Sequence, residues 1–99
     1  MGYKLIVRPL AAIEILESYD WYETIKEGLG TRFLNELEDF YERLMLSPKV
    51  HSYYNKPVRQ GKIKKFPFVV VYELFDPINI IVVYSVFMTK QDPAKKRSK

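Results

Sequence analysis

The stretch VRQGKIKKFPFVVVYEL, Val58 to Leu74, decides the fold. Its first half carries Arg59, Lys62, Lys64 and Lys65 without an acid, and its second half is almost wholly apolar. From Phe68 to Phe75 both alternating sets are apolar, Phe68, Val70, Tyr72 and Leu74 against Val69, Val71 and Phe75. A strand apolar on both faces belongs in the middle of a sheet, where each face meets other side chains. Val58 to Phe66 then reads as the neighbouring basic strand. On the other side, Asp76-Pro77-Ile78-Asn79 reads as a turn into a third strand, Ile80 to Met88. Consecutive strands with short links pair antiparallel.

Working toward the amino terminus, residues 49–57 show no sustained period, and with prolines at 48 and 57 they read as a surface loop containing His51. Before it lie two helical patterns. Ala12, Ile15, Leu16, Tyr19, Tyr22 and Ile25 recur at helical spacing after Pro9, to about Lys26. Phe33, Leu34, Leu37, Phe40, Tyr41 and Leu44 form a second stripe that Thr31 can cap and Ser47-Pro48 ends. The short link, Glu27 to Gly30, implies an antiparallel helical hairpin. Tyr3 to Arg8 reads as a first strand with Leu5 and Val7 on its apolar side. The expected fold is α+β in the order β-α-α-β-β-β, the hairpin packed on one face of a small, mostly antiparallel four-stranded sheet whose other face is half open.

A chain of 99 residues, 47% hydrophobic and 28% charged, has room for one domain. We assign it to residues 1–93, with 94–99 as a basic, mobile tail. The absence of cysteine removes disulfides, thiolate metal sites and thiol nucleophiles. With one histidine, a metal site would have to be built mostly from carboxylates, and we expect neither metal nor cofactor. Glycine-rich nucleotide motifs fail: Gly28 and Gly30 are followed by Phe33, and Lys56 stands where a phosphate loop ending at Gly61-Lys62 needs glycine. No run is long enough for a membrane helix and no signal-like segment opens the chain, so a cytoplasmic protein without a membrane partner is expected. The net charge of +4 is unevenly spread. Residues 10–47 hold nine acids and three bases, whereas residues 49–65 hold six bases and no acid. Such a basic surface attracts polyanions without naming one.

The order of these stretches resembles the RelE/ParE toxin family of bacterial type II toxin–antitoxin, or plasmid stabilisation, systems. KLIVRPLA at Lys4 to Ala11 is similar to its first strand and helix, GTRFLNELE at Gly30 to Glu38 to its second helix, and SPKV follows at Ser47 to Val50. VRQGKIKKFPFVVVYEL is similar to its basic and central strands, and VYSVFMTKQDP at Val83 to Pro93 to its last strand and basic exit. The resemblance implies a growth-regulating toxin neutralised by a cognate antitoxin. It implies either DNA gyrase as target, inhibited without hydrolysis, or ribosome-bound mRNA, cleaved without metal.

Metal-free RNA cleavage needs a base for the 2′-hydroxyl, cations for the phosphorane and an acid for the leaving oxygen. Cations are abundant: Arg59, Lys62, Lys64, Lys65 and Lys90 are the expected target- or nucleic-acid-binding residues. If the basic strand runs to Phe66, Lys62 and Lys64 share one side and Arg59 and Lys65 the other. Lysines on an edge strand equally serve to block sheet-to-sheet aggregation. Proton-transfer groups are scarce. Val69 stands where RelE-like nucleases often carry arginine, and Met88 where many relatives have histidine. Substitutes would be Lys62, Lys64, His51 or Tyr84, although a loop histidine is usually solvated and a strand tyrosine usually packs. Tyr53 and Tyr54, beside Lys56 and Arg59, suit stacking or partner binding as well as local packing. The acids of the first helix, Glu14, Glu17, Asp20 and Glu23, read as a solvated polar face. The non-hydrolytic ParE-like mode is therefore favoured over a RelE-type endoribonuclease, with a non-toxic nucleic-acid- or protein-binding module as a further alternative.

Overall fold

A computed structural model describes residues 2–89. The elements are β1 (Lys4–Val7), α1 (Pro9–Ile25), α2 (Leu29–Leu46), β2 (Tyr53–Asn55), β3 (Val58–Lys62), β4 (Phe68–Phe75) and β5 (Ile80–Met88). The sheet runs β1-β5-β4-β3-β2, with β1 parallel to β5 and every other pair antiparallel. The α+β class and the helical hairpin agree with the sequence pattern, and β4 and β5 keep their expected bounds. The sheet has five strands rather than four. The extra one is β2, inside what reads as a loop: three residues, all exposed, that pair with β3 through an irregular register.

The central position of β4 follows from its composition. Phe68, Val70 and Tyr72 join Phe33, Leu37, Phe40 and Leu44 of α2 and Ile81, Val83 and Val86 of β5 in one core. Burying each of the larger side chains is worth about 1.5–3 kcal/mol. On the opposite face Val69 and Val71 are only 4% and 6% exposed. That face is thus less open than the pattern suggests. Lys62 and Phe87 flank Val69 across the strands, and Gln60 and Ser85 flank Val71.

Three local expectations change. First, α1 buries Ala11 and Tyr22, with Ile15 and Tyr19 half-buried, while Ala12, Leu16 and Ile25 face outward. Leu10, Ile13 and Leu16 are exposed at 58%, 54% and 60%, so α1 is apolar on most sides and its period cannot name the inner one. Second, Thr31 does not cap α2. The helix begins at Leu29, and the carboxylate of Glu23 reaches across the hairpin to accept from the backbone N–H of Gly28 (3.1 Å), Gly30 (2.7 Å) and Thr31 (3.3 Å). It serves the unpaired N–H groups that every helix start presents. Gly30 is required there, since a Cβ would lie 2.6 Å from the carbonyl oxygen of Tyr19. Third, β3 ends at Lys62, and the chain turns back through residues 63–67 with Lys65 at φ 70°.

A bulge interrupts β5. Val71 pairs with Ser85 but Tyr72 with Val83, which leaves Tyr84 unmatched. Glu14 of α1 repairs the gap, accepting from the Val86 N–H and the Ser85 Oγ, both at 2.8 Å. Two acids of the supposed solvated face, Glu14 and Glu23, are therefore structural. No helix among the described residues is long and apolar enough to cross a membrane.

Candidate functional site

The basic segment and the residues before it converge at the β2–β3 edge. Gln60 donates its N–H to Ser52 O at 3.0 Å, and Ile63 donates to Phe68 O of β4 at 3.3 Å. Because ladder bonds alternate along a strand, the N–H of Lys62 turns the same way as that of Gln60, outward, beyond the end of β2. Residues 50–52 run beside this edge. Between them and residues 60–62 lies a cavity of about 330 Å³, also lined by Val69. A second concavity, also about 330 Å³, shares Val50 and His51 and is completed by Arg43, Leu46 and Ser47.

His51 is the wall between the two. Its ring lies 5.3 Å from that of Phe40 and 6.1 Å, edge-on, from that of Tyr72. Only a glycine beneath permits this: a Cβ on Gly61 would sit 2.9 Å from His51 Nδ1 and 2.7 Å from Phe40 Cζ. Burial lowers the imidazole pKa below its ordinary value of 6.5, and the charges of Arg43 and Arg59 lower it further. His51 is therefore neutral near pH 7, in a positive environment.

Arg59 is occupied in holding this loop. Its guanidinium donates to His51 O (2.7 Å), Lys49 O (3.3 Å) and Tyr53 Oη (3.0 Å), and stacks 4.2 Å over the Tyr53 ring. Lys56 Nζ also lies 5.4 Å from that ring, so Tyr53 is committed to cations of its own chain and Tyr54 remains exposed. Tyr72 ties the loop from inside, donating to Pro48 O at 2.7 Å, and burial pushes its hydroxyl up to about 12. Lys49 pairs with Asp76 at 2.8 Å.

The other expected site residues are dispersed. Lys62 is exposed on β3 and lines the cavity with His51. Lys64 and Lys65 lie in the turn after β3, so the alternation that grouped Lys62 with Lys64 does not extend to them, and Lys65 Nζ stands 3.6 Å from Glu36. Tyr84 donates to Glu73 Oε1 at 2.6 Å, a bond that raises its pKa together with burial. Lys90 lies outside the described residues, as does the segment 94–99. The sequence reading missed Arg43, Ser52 and Gln60. Only Gln60, alternating with Lys62 on the basic strand, carried a signal.

A third concavity, about 260 Å³, lies between α1 and the end of β5, where Glu14, Glu17 and Trp21 meet Phe87 and Met88. β1 pairs only with Ile80 to Val83, so the outer edge of β5 from Tyr84 onward has no strand beside it among the described residues.

No family model matches the chain, and no curated protein matches its sequence. Solved structures do. A chain of the chromosomal ParDE toxin–antitoxin system from P. aeruginosa superimposes with a TM-score of 0.76 at 13% identity, over 89% of this chain and 97% of that one. The isolated E. coli RelE toxin gives 0.67 at 18% identity, over 94% and 90%. The RelBE2 toxin–antitoxin complex of Mycobacterium tuberculosis gives 0.65 at 14%, over 89% and 99%. The chain has the RelE/ParE toxin fold.

Proposed function

We propose that this protein is the toxin of a type II toxin–antitoxin system, acting in the bacterial cytosol, neutralised by a cognate antitoxin, and inhibiting its target without hydrolysing RNA, in the manner of a gyrase inhibitor. The fold supports the toxin role. The observation that carries the mode of action is that the strand positions expected to move a proton supply no free group for it. Tyr84 spends its hydroxyl on Glu73, Val69 is buried and aliphatic, and Met88 has no proton to transfer. What remains exposed is lysine, a flexible point charge that binds anions readily. The antitoxin is expected on the groove of Trp21, Phe87 and Met88, where apolar surface and an unpaired strand edge suit an extended segment. One observation favours the RelE-type endoribonuclease instead: His51, neutral and so able to accept a proton, lines one cavity with Lys62.

A tightly controlled induction in bacteria separates these readings. Thymidine incorporation is expected to fall within minutes, before amino-acid incorporation. Early translation arrest with cleaved mRNA would establish the nuclease, and a folded product that arrests neither would leave a binding module without toxicity.

A further inference from the structure

The groove between α1 and the end of β5 asks more of an occupant than apolar surface. Glu14, Glu17 and Trp21 recur along α1 at spacings of three and four and so share one side of the helix. Met88 pairs with Phe68 across the strands, and both lie on the core face of the sheet, so Trp21, Phe68 and Met88 line one concavity of about 260 Å³. The Phe87 side chain, paired with Val69, points to the other face. Two carboxylates and no cation line the groove. Glu14 uses one oxygen, Oε1, to accept from both the Ser85 hydroxyl and the Val86 N–H, which leaves Oε2 without a donor among the described residues. Glu17 is exposed and has no ion pair among them. The strand edge adds a backbone group. The Val86 N–H turns outward to Glu14 and the Thr89 N–H inward to Pro67 O, so the ladder alternation leaves the Met88 N–H facing outward with no strand beside it.

We propose that the groove selects, in the antitoxin segment that docks there, a basic side chain, arginine above all, seated between Glu14 Oε2 and the Glu17 carboxylate with its stem over Trp21. This rests on the antitoxin reading of the groove and adds the chemistry of the residue that is recognised. A segment paired with the Met88 N–H sends alternate side chains to the two faces of the sheet. Those on the core side meet α1, where the uncompensated charge is negative. An apolar side chain there would cover Trp21 and Met88 but strand two carboxylates in a site losing its water, whereas a guanidinium lies over the ring and donates to both acids. An acidic side chain would meet like charge. The net charge of +4 disfavours a basic segment on the molecule as a whole, so the selection is local to this groove.

Trp21 is the one tryptophan of the chain, so its fluorescence reports the groove directly. The full chain would be titrated with the blocked peptide acetyl-Thr-Val-Arg-Val-Thr-amide, with the same peptide carrying glutamine in place of arginine, and with acetyl-arginine amide alone. The arginine peptide is expected to bind about tenfold more tightly than the glutamine one, with an affinity that falls as salt rises. Glu17→Gln is expected to cut that preference to about threefold, and Glu42→Gln, the same loss of charge on α2, to leave it unchanged. Equal binding of the two peptides would overturn the basic seat while keeping the groove as a docking surface. Equal losses in Glu17→Gln and Glu42→Gln would overturn it too, by showing a response to total charge. Acetyl-arginine amide binding as tightly as its peptide would replace the docked segment with a free organic cation. Silence of Trp21 toward every probe would remove the seat and the docking surface together, and the induction experiment would still judge the toxin reading by itself.

Discussion

Two buried tyrosine hydroxyls show how little residue type says about role. Among the described residues Tyr41 Oη is the buried side-chain polar atom without a partner, and burial with the nearby Glu38 pushes its pKa up to about 12. Tyr72 Oη is bonded to Pro48 O. Removing an unpartnered hydroxyl removes only a desolvation penalty, whereas removing a bonded one strands its buried acceptor. Tyr41→Phe is therefore expected to be neutral or stabilising by up to about 1 kcal/mol, and Tyr72→Phe to cost about 1–2 kcal/mol. Urea midpoints at constant slope check both, and a Tyr41→Phe loss as large as that of Tyr72→Phe would contradict the assignment. His51 adds a pH dependence. Its folded pKa is depressed, so above its ordinary 6.5 the ring is neutral in both states and contributes full stability. As pH falls below that value the unfolded chain takes up a proton that the folded site resists, and stability declines until the folded site titrates too. His51→Gln is expected to flatten the stability curve just below pH 6.5, and an unchanged slope there would rule out this source.

Elements were legible in the sequence where two signals agreed. β4 and β5 carry continuous apolar runs and share a turn whose Asn79 takes φ 56°, so periodicity and turn chemistry marked the same boundaries. β2 offered neither, being three exposed polar or aromatic residues held by pairing with β3. The inner stripe of α1 was misread because Leu16 and Ile25 recur as regularly as Ala11 and Tyr22, and only docking on β5 selects a face. The start of α2 was hidden for a related reason: its cap belongs to another helix. Thr31 has the right chemistry, but Glu23 has the right position. Glu23→Ala is thus expected to destabilise the hairpin by about 1–2 kcal/mol and Thr31→Ala by less than about 0.5 kcal/mol. Thermal unfolding of the two variants decides this, and the reverse ranking would restore the local cap.

At the scale of the whole molecule the charge division becomes spatial. The acids of residues 10–47 lie on the helical layer, while Lys62, Lys64 and the cavity beside His51 lie at the β2–β3 end of the sheet, opposite β1. This much of the candidate site was legible as composition. The position of His51 between the concavity of Arg43 and that of Lys62 was not, since it depends on a helix end, a loop and a strand edge brought together by the fold. A polyanion near this protein is expected to be repelled by one layer and drawn to one edge, and exposed charges act over only about 8 Å at physiological salt. Affinity for a single-stranded oligonucleotide should then depend on which cation is lost, not on net charge. Lys62→Gln is expected to reduce the slope of log affinity against log salt by about one, while Lys4→Gln, with the same change in net charge, leaves it unaltered. Glu17→Gln on α1 is expected to raise affinity by less than about threefold, because its charge belongs to the helical layer and not to that edge, and exposed charges are screened. Fluorescence titrations at several salt concentrations distinguish these outcomes. Equal slopes for Lys62→Gln and Lys4→Gln would mean that the anion responds to the total charge of the molecule, and the β2–β3 edge would lose its claim as the binding surface.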